Sequence, residues 1–285
     1  MTTLRTSRLS KIPLDAKTGN SYDETWNIKL QAGLTYHRID LKTNLNHVKT
    51  IRKITIDVNG NDFLSIKNTR LDLLKKLYQV EQETGRFVIN FSDFKYRTAT
   101  GIYQTQLVTQ PTDDVTVKIE FGERTTGVSG VADDPVSPTL KSTAYVTDTD
   151  RFGRIFKPTM YELTQSVTAA GEHTWIFPNS ATNKFIQRMV FDENEVKIKK
   201  IKVMRGEKTI ETFERDDLDF DLKDFAKVSH QDGYCLLDFT MKGYGSSMAL
   251  PTYRIKFVIE TEGTGAIQTF VQGFDQLKQL PKLGE

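Results

Sequence analysis

Apolar and polar residues alternate along much of the chain with the period of two that is typical of strands with one buried face. Ile54, Ile56 and Val58 alternate with polar neighbours in one such run. Asn59-Gly60 follows at once, and this pair readily adopts the positive φ angles of a tight hairpin turn. Residues 63–66 are then expected to form the return strand.

Helical spacing interrupts the strand pattern at two places. In residues 68–83 the leucines recur at helical intervals, Asn68 or Thr69 precedes them as a helix cap, and Gly85 ends the run. A second segment of this kind follows Asp216. The pattern predicts a β protein with short helices between strands.

The same order of elements occurs twice, in residues 51–121 and in residues 198–259. Gly60 aligns with Gly206, and residues 85–91 align with residues 233–239. The repeat has the size of a whole domain rather than of a solenoid unit. We therefore expect an all-β chain of two eight-stranded jelly-roll sandwiches in tandem, with short helices in the inter-strand connections.

Turn-forming residues set the expected domain boundaries. The first twenty residues mix basic and apolar side chains around Pro13 and Gly19, and residues 122–150 are rich in Gly, Pro, Ser, Thr and Asp. The predicted division is an N-terminal arm (1–20), a first jelly roll (21–125), a linker (126–155), a second jelly roll (156–275) and a C-terminal tail (276–285).

Composition excludes several classes of protein. The 285-residue chain has a net charge of +2, which is too small to favour nucleic-acid binding. Its single cysteine, Cys235, lies in an apolar run and is expected to be buried and unreactive. No window resembles a signal peptide or a membrane-spanning helix, so we expect a soluble protein made in a cytoplasm.

Residues capable of catalysis or metal binding are sparse. The four histidines show no metal-ligand spacing, and no nucleophile elbow or phosphate-binding loop occurs. Carboxylates are the remaining ligands, and hard cations such as calcium favour them. The set is not ordered as in an EF-hand, so a solvated acidic surface is the simpler reading. We expect no catalytic residue and no cofactor, with a structural calcium ion as the alternative, at Asp133, Asp134, Asp148 and Asp150.

Several strings, in order, resemble the major capsid proteins of corticoviruses, and more distantly the coat proteins of tectiviruses and of the adenovirus lineage. The second half matches more weakly, and residues 127–150 have no counterpart. The strings are Ile12-Pro13, Gly19-Asn20-Ser21, Ile28-Lys29-Leu30, Gly33-Leu34-Thr35-Tyr36, Ile39-Asp40-Leu41, Val58-Asn59-Gly60, Val117-Lys118-Ile119-Glu120-Phe121 and Thr240-Met241-Lys242-Gly243, with residues 253–260.

This resemblance implies a major capsid protein and not an enzyme. The chain would form homotrimers of pseudo-hexagonal outline, which tile an icosahedral shell around an internal membrane and a dsDNA genome. Its partners would be neighbouring trimers, vertex or penton proteins, membrane-associated virion proteins and the lipid bilayer. It would be made in the host cytoplasm and reside in the virion. The arm would contact the membrane or adjoining trimers through Arg5, Arg8, Lys11 and Lys17.

Two other classes share this strand pattern. A double jelly-roll hydrolase acting on glycans would need two carboxylates with different pKa values in a cleft. A tandem β-sandwich adhesin or carbohydrate-binding protein would expose aromatic platforms. Trp26, Trp175, Phe177 and Phe257 lie in alternating strands, so we expect them to pack in the core.

Overall fold

Alternating burial along the strands builds the cores. In the strand Val115–Phe121 the two valines, Ile119 and Phe121 are buried, and the three polar residues between them are half-buried. This is the pattern expected when one face of a sheet packs against a second sheet. The computed structural model describes residues 9–15, 17–79, 83–98, 101–102, 105–148, 154–178, 180–244 and 248–278.

The elements of the first half follow one another with short connections. A turn of 3-10 helix, Val48–Thr50, precedes the fourth strand. The strands are β1 Ser10–Pro13, β2 Thr25–Leu30, β3 Leu34–Thr43, β4 Ile51–Val58, β5 Asn61–Lys67, β6 Arg86–Asn90, β7 Leu107–Val108, β8 Val115–Phe121 and β9 Leu140–Asp148, with helix α1 Asn68–Leu77 between β5 and β6.

The second half repeats this order. Its strands are β10 Phe156–Val167, β11 Gly171–Ile176, β12 Lys184–Asp192, β13 Lys197–Arg205, β14 Lys208–Glu214, β15 Tyr234–Asp238, β16 Leu250–Pro251, β17 Ile255–Glu262 and β18 Gly265–Gln276, with helix α2 Arg215–Ala226 between β14 and β15.

The pairing of the strands is the same in both halves. The first half forms the sheets β1-β9-β3-β6 and β2-β8-β4-β5, with β7 added to β3. The second forms β10-β18-β12-β15 and β11-β17-β13-β14, with β16 added to β12. All these pairs are antiparallel, and each half packs two sheets face to face as in a jelly roll. The expected tandem of two jelly rolls is therefore confirmed.

Two of the expected domain boundaries need correction. Residues 140–148 were assigned to the linker, but they form β9, which pairs with β3 on one side and with β1 on the other. Residues 10–13 were assigned to the arm, but they form β1 at the edge of the same sheet. Both strands escaped the sequence pattern because β1 is short and β9 buries only Ala144 and Val146. The turn-forming residues before β9 instead form a long loop, residues 122–139.

The helices are close to expectation, but their ends differ. Helix α1 ends at Leu77 instead of continuing to residue 83. Neither helix uses the expected side-chain cap, because each starts directly from an extended residue, Lys67 or Glu214, at the end of the preceding strand. The strand therefore fixes where each helix begins.

Equivalent β-bulges occur in the two halves. The pairing of β3 with β9 shifts at His37, and the pairing of β12 with β18 shifts at Gln187. Each bulge is followed by an arginine, Arg38 or Arg188. An extra residue in one strand locally re-aims its side chains. The bulges thus place a polar pair at matching positions of the two jelly rolls.

The His37 bulge generates a pH-dependent stability. The imidazole is 2% exposed, with Nδ1 2.8 Å from Ser92 Oγ and Nε2 2.9 Å from Thr147 Oγ1. Burial lowers the pKa of His37 to about 4. The unfolded chain takes up this proton below its ordinary pKa near 6.5, whereas the folded chain does not.

We expect the free energy of unfolding to fall as the pH drops from about 6.5 towards 4, by up to roughly 3 kcal/mol from this residue. Urea denaturation of the parent and of His37→Gln at a series of pH values measures the effect, and the variant should show a flatter slope. His230→Gln is the matched control, because His230 is 53% exposed at its side chain. Identical slopes for the parent and His37→Gln would contradict the assignment.

Candidate functional site: the junction between the jelly rolls

Asp134 is the most structurally engaged of the acids considered for calcium. Its carboxylate is fully buried and accepts hydrogen bonds from the backbone amides of Asn46 at 2.7 Å and His47 at 3.1 Å. The hydroxyl of Thr50 and the amide of Thr125 donate to its other oxygen. Asp134 therefore clasps the long loop, residues 122–139, to the segment that leads into β4.

The other three acids do not join it. Asp133 is exposed and accepts a hydrogen bond from the Gly127 amide at 2.7 Å. Asp148 lies at the far end of β9, about 25 Å along the strand from Leu140. Asp150 lies outside the described residues. Within the described ranges no three His, Cys, Asp or Glu residues are grouped to hold a metal ion, and calcium binding by this set stays a prediction.

The cations assigned to the arm are likewise spread over the domain. Lys11 lies on β1 with its Nζ 5.5 Å from the centre of the Tyr145 ring. Lys17 donates to the carbonyl oxygen of Gly19 and covers the Trp26 ring at 3.4 Å. Arg5 and Arg8 lie outside the described residues. Both described lysines thus pack against aromatic rings of the first jelly roll.

Charged side chains of both jelly rolls meet in a cluster that the sequence analysis did not identify. We call the junction cluster the set formed by Tyr78, which follows α1, Asp93, Lys95 and Tyr96, which follow β6, Arg188 on β12, and Asp238, which ends β15. Each of these side chains lies within a strand or at or just after the end of a helix or strand. The packing of both domains therefore determines its position.

Asp238 is the centre of the junction cluster. Its carboxylate oxygen Oδ2 accepts hydrogen bonds from the Tyr78 hydroxyl at 2.5 Å, from Arg188 Nε at 3.2 Å and from Lys95 Nζ at 3.3 Å. The other oxygen accepts the amide and hydroxyl of Thr240. Two donors from the first jelly roll thus converge on one buried carboxylate of the second.

Arg188 makes the reciprocal connection. Its guanidinium is 2.6 Å from Asp93 Oδ2 and donates to the Tyr96 hydroxyl at 3.0 Å. The Tyr96 hydroxyl also lies 3.0 Å from Thr240 Oγ1. A cation of the second jelly roll is therefore neutralised by an acid of each domain, and the polar groups satisfy one another inside the junction.

The electrostatics of the junction cluster favour its ionised form. Burial alone would raise the pKa of Asp238, but Lys95, Arg188 and the donated hydrogen bonds outweigh it and hold this pKa well below its usual range. Burial raises the pKa of Tyr78 well above its usual range, so its proton stays in place to bond Asp238. Burial, with Arg188 nearby, lowers the pKa of Lys95. The junction cluster therefore joins the two domains through charged and hydrogen-bonded groups.

A second set of ion pairs spans the domains away from the junction cluster. Glu162 on β10 accepts Lys67 at 2.6 Å and Arg70 at 2.8 Å, both from the first jelly roll. Arg154 donates to the Val108 carbonyl and pairs with Asp113 at 3.0 Å. The two domains are thus tied at several separate points, which fixes them side by side.

The remaining expectations concern buried side chains. Trp26, Phe177 and Phe257 are at most 1% exposed, and Trp175 packs against the same core, so the prediction that these aromatics are core residues is confirmed. Cys235 is buried as expected, and burial raises its pKa to about 12. No helix among the described residues has the length and apolar character needed to span a bilayer.

Two jelly rolls of one strand order, locked side by side in one chain, define the double jelly-roll class. Residues 11–147 match the family model for the N-terminal domain of viral coat protein P2, and residues 157–277 match that for its C-terminal domain. The chain belongs to the viral coat protein P2 family. Its role is therefore structural and not enzymatic, and its place is the virion capsid.

Solved structures show the same fold at low sequence identity. The major capsid protein P2 of bacteriophage PM2 superposes with a TM-score of 0.80 at 13% identity, covering 95% of this chain and 99% of that one. The major capsid protein of STIV gives 0.65 at 12% identity, with 97% and 100% covered. The PBCV-1 virus capsid gives 0.60 at 9% identity, with 96% and 95% covered. No curated protein sequence matches the chain.

We expect Asp134→Ala to lower the free energy of unfolding by about 2–4 kcal/mol, because it leaves buried amide and hydroxyl donors without an acceptor. Asp133→Ala is the neighbouring control and should cost less than about 1 kcal/mol, since Asp133 is exposed and accepts one bond. Urea denaturation measures both. Equal effects at the two positions would show that Asp134 does not clasp the loop.

We expect Asp238→Asn to lower the free energy of unfolding by about 3–5 kcal/mol, because it leaves Arg188 and Lys95 without their shared carboxylate. Asp232→Asn, at a fully exposed side chain, should be nearly neutral. Because the folded pKa of Asp238 is depressed, its contribution is present at neutral pH and is lost in acid, so the variant should also lose stability less steeply below pH 4. A variant within 1 kcal/mol of the parent at pH 7 would contradict the role of the cluster.

Proposed function

We propose that this coat protein is the major capsid protein of its virus and forms homotrimers of pseudo-hexagonal outline. Three chains, each with two jelly rolls of one topology, place six similar sandwiches around a threefold axis. Closed symmetry of this kind avoids open-ended fibres. Such trimers would tile an icosahedral shell around an internal membrane and a dsDNA genome.

The proposal rests on one observation: two halves with the same strand order are held together by the junction cluster. Because the two domains have the same sheet order, each could take a similar position in the ring. The junction cluster around Asp238 holds them in one orientation, so the chain acts as a rigid double block. A block of this kind supports tiling, because its outline does not change between copies.

Exposed apolar side chains supply surfaces for contacts between copies. Val136 on the long loop is 78% exposed, Ile176 at the end of β11 is 74% exposed, and Phe220 on α2 is 70% exposed. Large apolar groups in water favour burial against a partner. They belong to both halves of the chain, as contacts around a ring and between rings require.

The remaining partners follow from the same role. Residues 1–8 carry Arg5 and Arg8 and precede β1 in the sequence, and β1 lies at the edge of a sheet. Basic residues next to apolar ones suit an anionic lipid surface or an adjoining trimer. Vertex proteins and membrane-associated virion proteins would complete the shell.

The oligomeric state tests the proposal. We expect light scattering of the purified protein at micromolar concentration to give three times the chain mass of 32.5 kDa. Negatively stained particles should be triangular in symmetry with a hexagonal outline. A stable monomer, or a dimer with twofold symmetry, would overturn the trimer.

A further inference from the structure

A cavity of about 510 Å³ lies between the two jelly rolls, beside the junction cluster. One wall is the face of α1 that carries Leu71 and Leu74, with Tyr78 directly after the helix. The opposite wall includes Met160 on β10 and Ala226 at the end of α2. The volume is within the usual range for sites that bind small molecules.

The apolar walls are not closed over by protein. Leu71 is buried, whereas Leu74 and Met160 are half-buried although both pack against the core. Phe94 also borders the cavity and is 54% exposed. An aliphatic chain placed here would remove apolar surface of both domains from water, which is the main source of affinity in such pockets.

Charge along the cavity is strongly one-sided. Asp93 is the acid among the described lining residues, and it already pairs with Arg188. Arg38 is neutralised by Asp40 outside the cavity. The lining cations are Arg38, Lys75, Lys95, Arg188 and Lys227.

Two of these cations are not neutralised by an ion pair in the described part of the chain. In the described part of the chain, Lys75 and Lys227 form no ion pair with a carboxylate. Lys75 donates to the carbonyl oxygen of Arg86 at 2.9 Å, a neutral acceptor. Burial lowers the pKa of Lys75, and the nearby carboxylates of Asp72 and Asp40 offset this effect only in part. A bound acid would complete that compensation.

We propose that this cavity binds an amphiphile with one acidic head and an aliphatic tail, such as an alkyl carboxylate. The tail lies against Leu71, Leu74 and Met160, and the head pairs with Lys75 and Lys227. A small inorganic anion would leave the apolar walls wet, and a neutral hydrocarbon would leave the lysines uncompensated. Since its walls come from both jelly rolls, the ligand bridges the domains and stabilises their junction.

Calorimetric titration of the full-length protein with decanoate, 1-decanol and acetate tests the proposal. Decanoate carries both parts of the ligand, decanol only the tail and acetate only the head. We expect decanoate to bind at least about tenfold more tightly than either fragment, since each fragment loses one class of contact. Decanoate should also raise the temperature of unfolding in a concentration-dependent manner. No binding of decanoate, or equal binding of decanol, would overturn the proposal.

Variants separate the cavity from non-specific surface binding. The double variant Lys75→Gln/Lys227→Gln should weaken decanoate about tenfold or more and leave decanol unchanged. Lys76→Gln/Lys223→Gln removes the same charge from positions on α1 and α2 outside the cavity and should bind as the parent does. Leu74→Trp fills the cavity with both lysines retained and should abolish binding. Equal weakening by both double variants, or full binding by Leu74→Trp, would place the ligand elsewhere.

Discussion

The buried carboxylate of Asp238 is the interaction on which the arrangement of the two domains depends. Two cations and a phenol converge on it, and they come from different jelly rolls. Buried ion pairs add little net stability compared with apolar packing, but they penalise every arrangement in which a partner is missing. The buried apolar side chains of both jelly rolls form one continuous cluster, but apolar contact is not directional and does not by itself set the angle between the domains. The junction cluster sets this angle, because any other angle would leave a buried charge without its partner.

The duplication of the jelly roll explains how the junction cluster could arise. The bulges at His37 and Gln187 occupy matching strands, and each is followed by an arginine. In the first copy Arg38 pairs locally with Asp40, whereas in the second Arg188 pairs with Asp93 and Asp238. One inherited feature therefore forms a local ion pair in the first domain and joins the two domains in the second.

The sequence predicted those parts of the fold that are encoded locally. Ile54, Ile56 and Val58 alternate strictly with polar neighbours, and Gly60 and Gly206 mark the same turn in both copies. The strands, the helices and the duplication could therefore be predicted. Strand β9 was missed because it has only two buried residues, Ala144 and Val146, and the rest of the strand is half-buried or exposed.

The junction cluster could not be predicted from the sequence, because it joins groups that are far apart in the chain. Tyr78 and Asp238 are 160 positions apart, and nothing in either neighbourhood specifies the other. The available signal was a charged residue inside an otherwise apolar strand: Arg188 and its neighbour Gln187 lie between Ile186 and Met189, and Asp238 lies between Leu237 and Phe239. Such residues indicate a buried polar contact without naming the partner. Asp134 in the long loop accepts hydrogen bonds from the backbone amides of Asn46, His47 and Thr125, and no local pattern predicts these contacts.

The connection between the last two strands differs greatly between the copies. It is the clasped loop of residues 122–139 in the first jelly roll and a tight turn at residues 263–264 in the second. In the proposed ring of three chains, this loop would occur on three of the six jelly rolls and be absent from the other three. The loop alone would then reduce the nearly sixfold symmetry of such a ring to threefold.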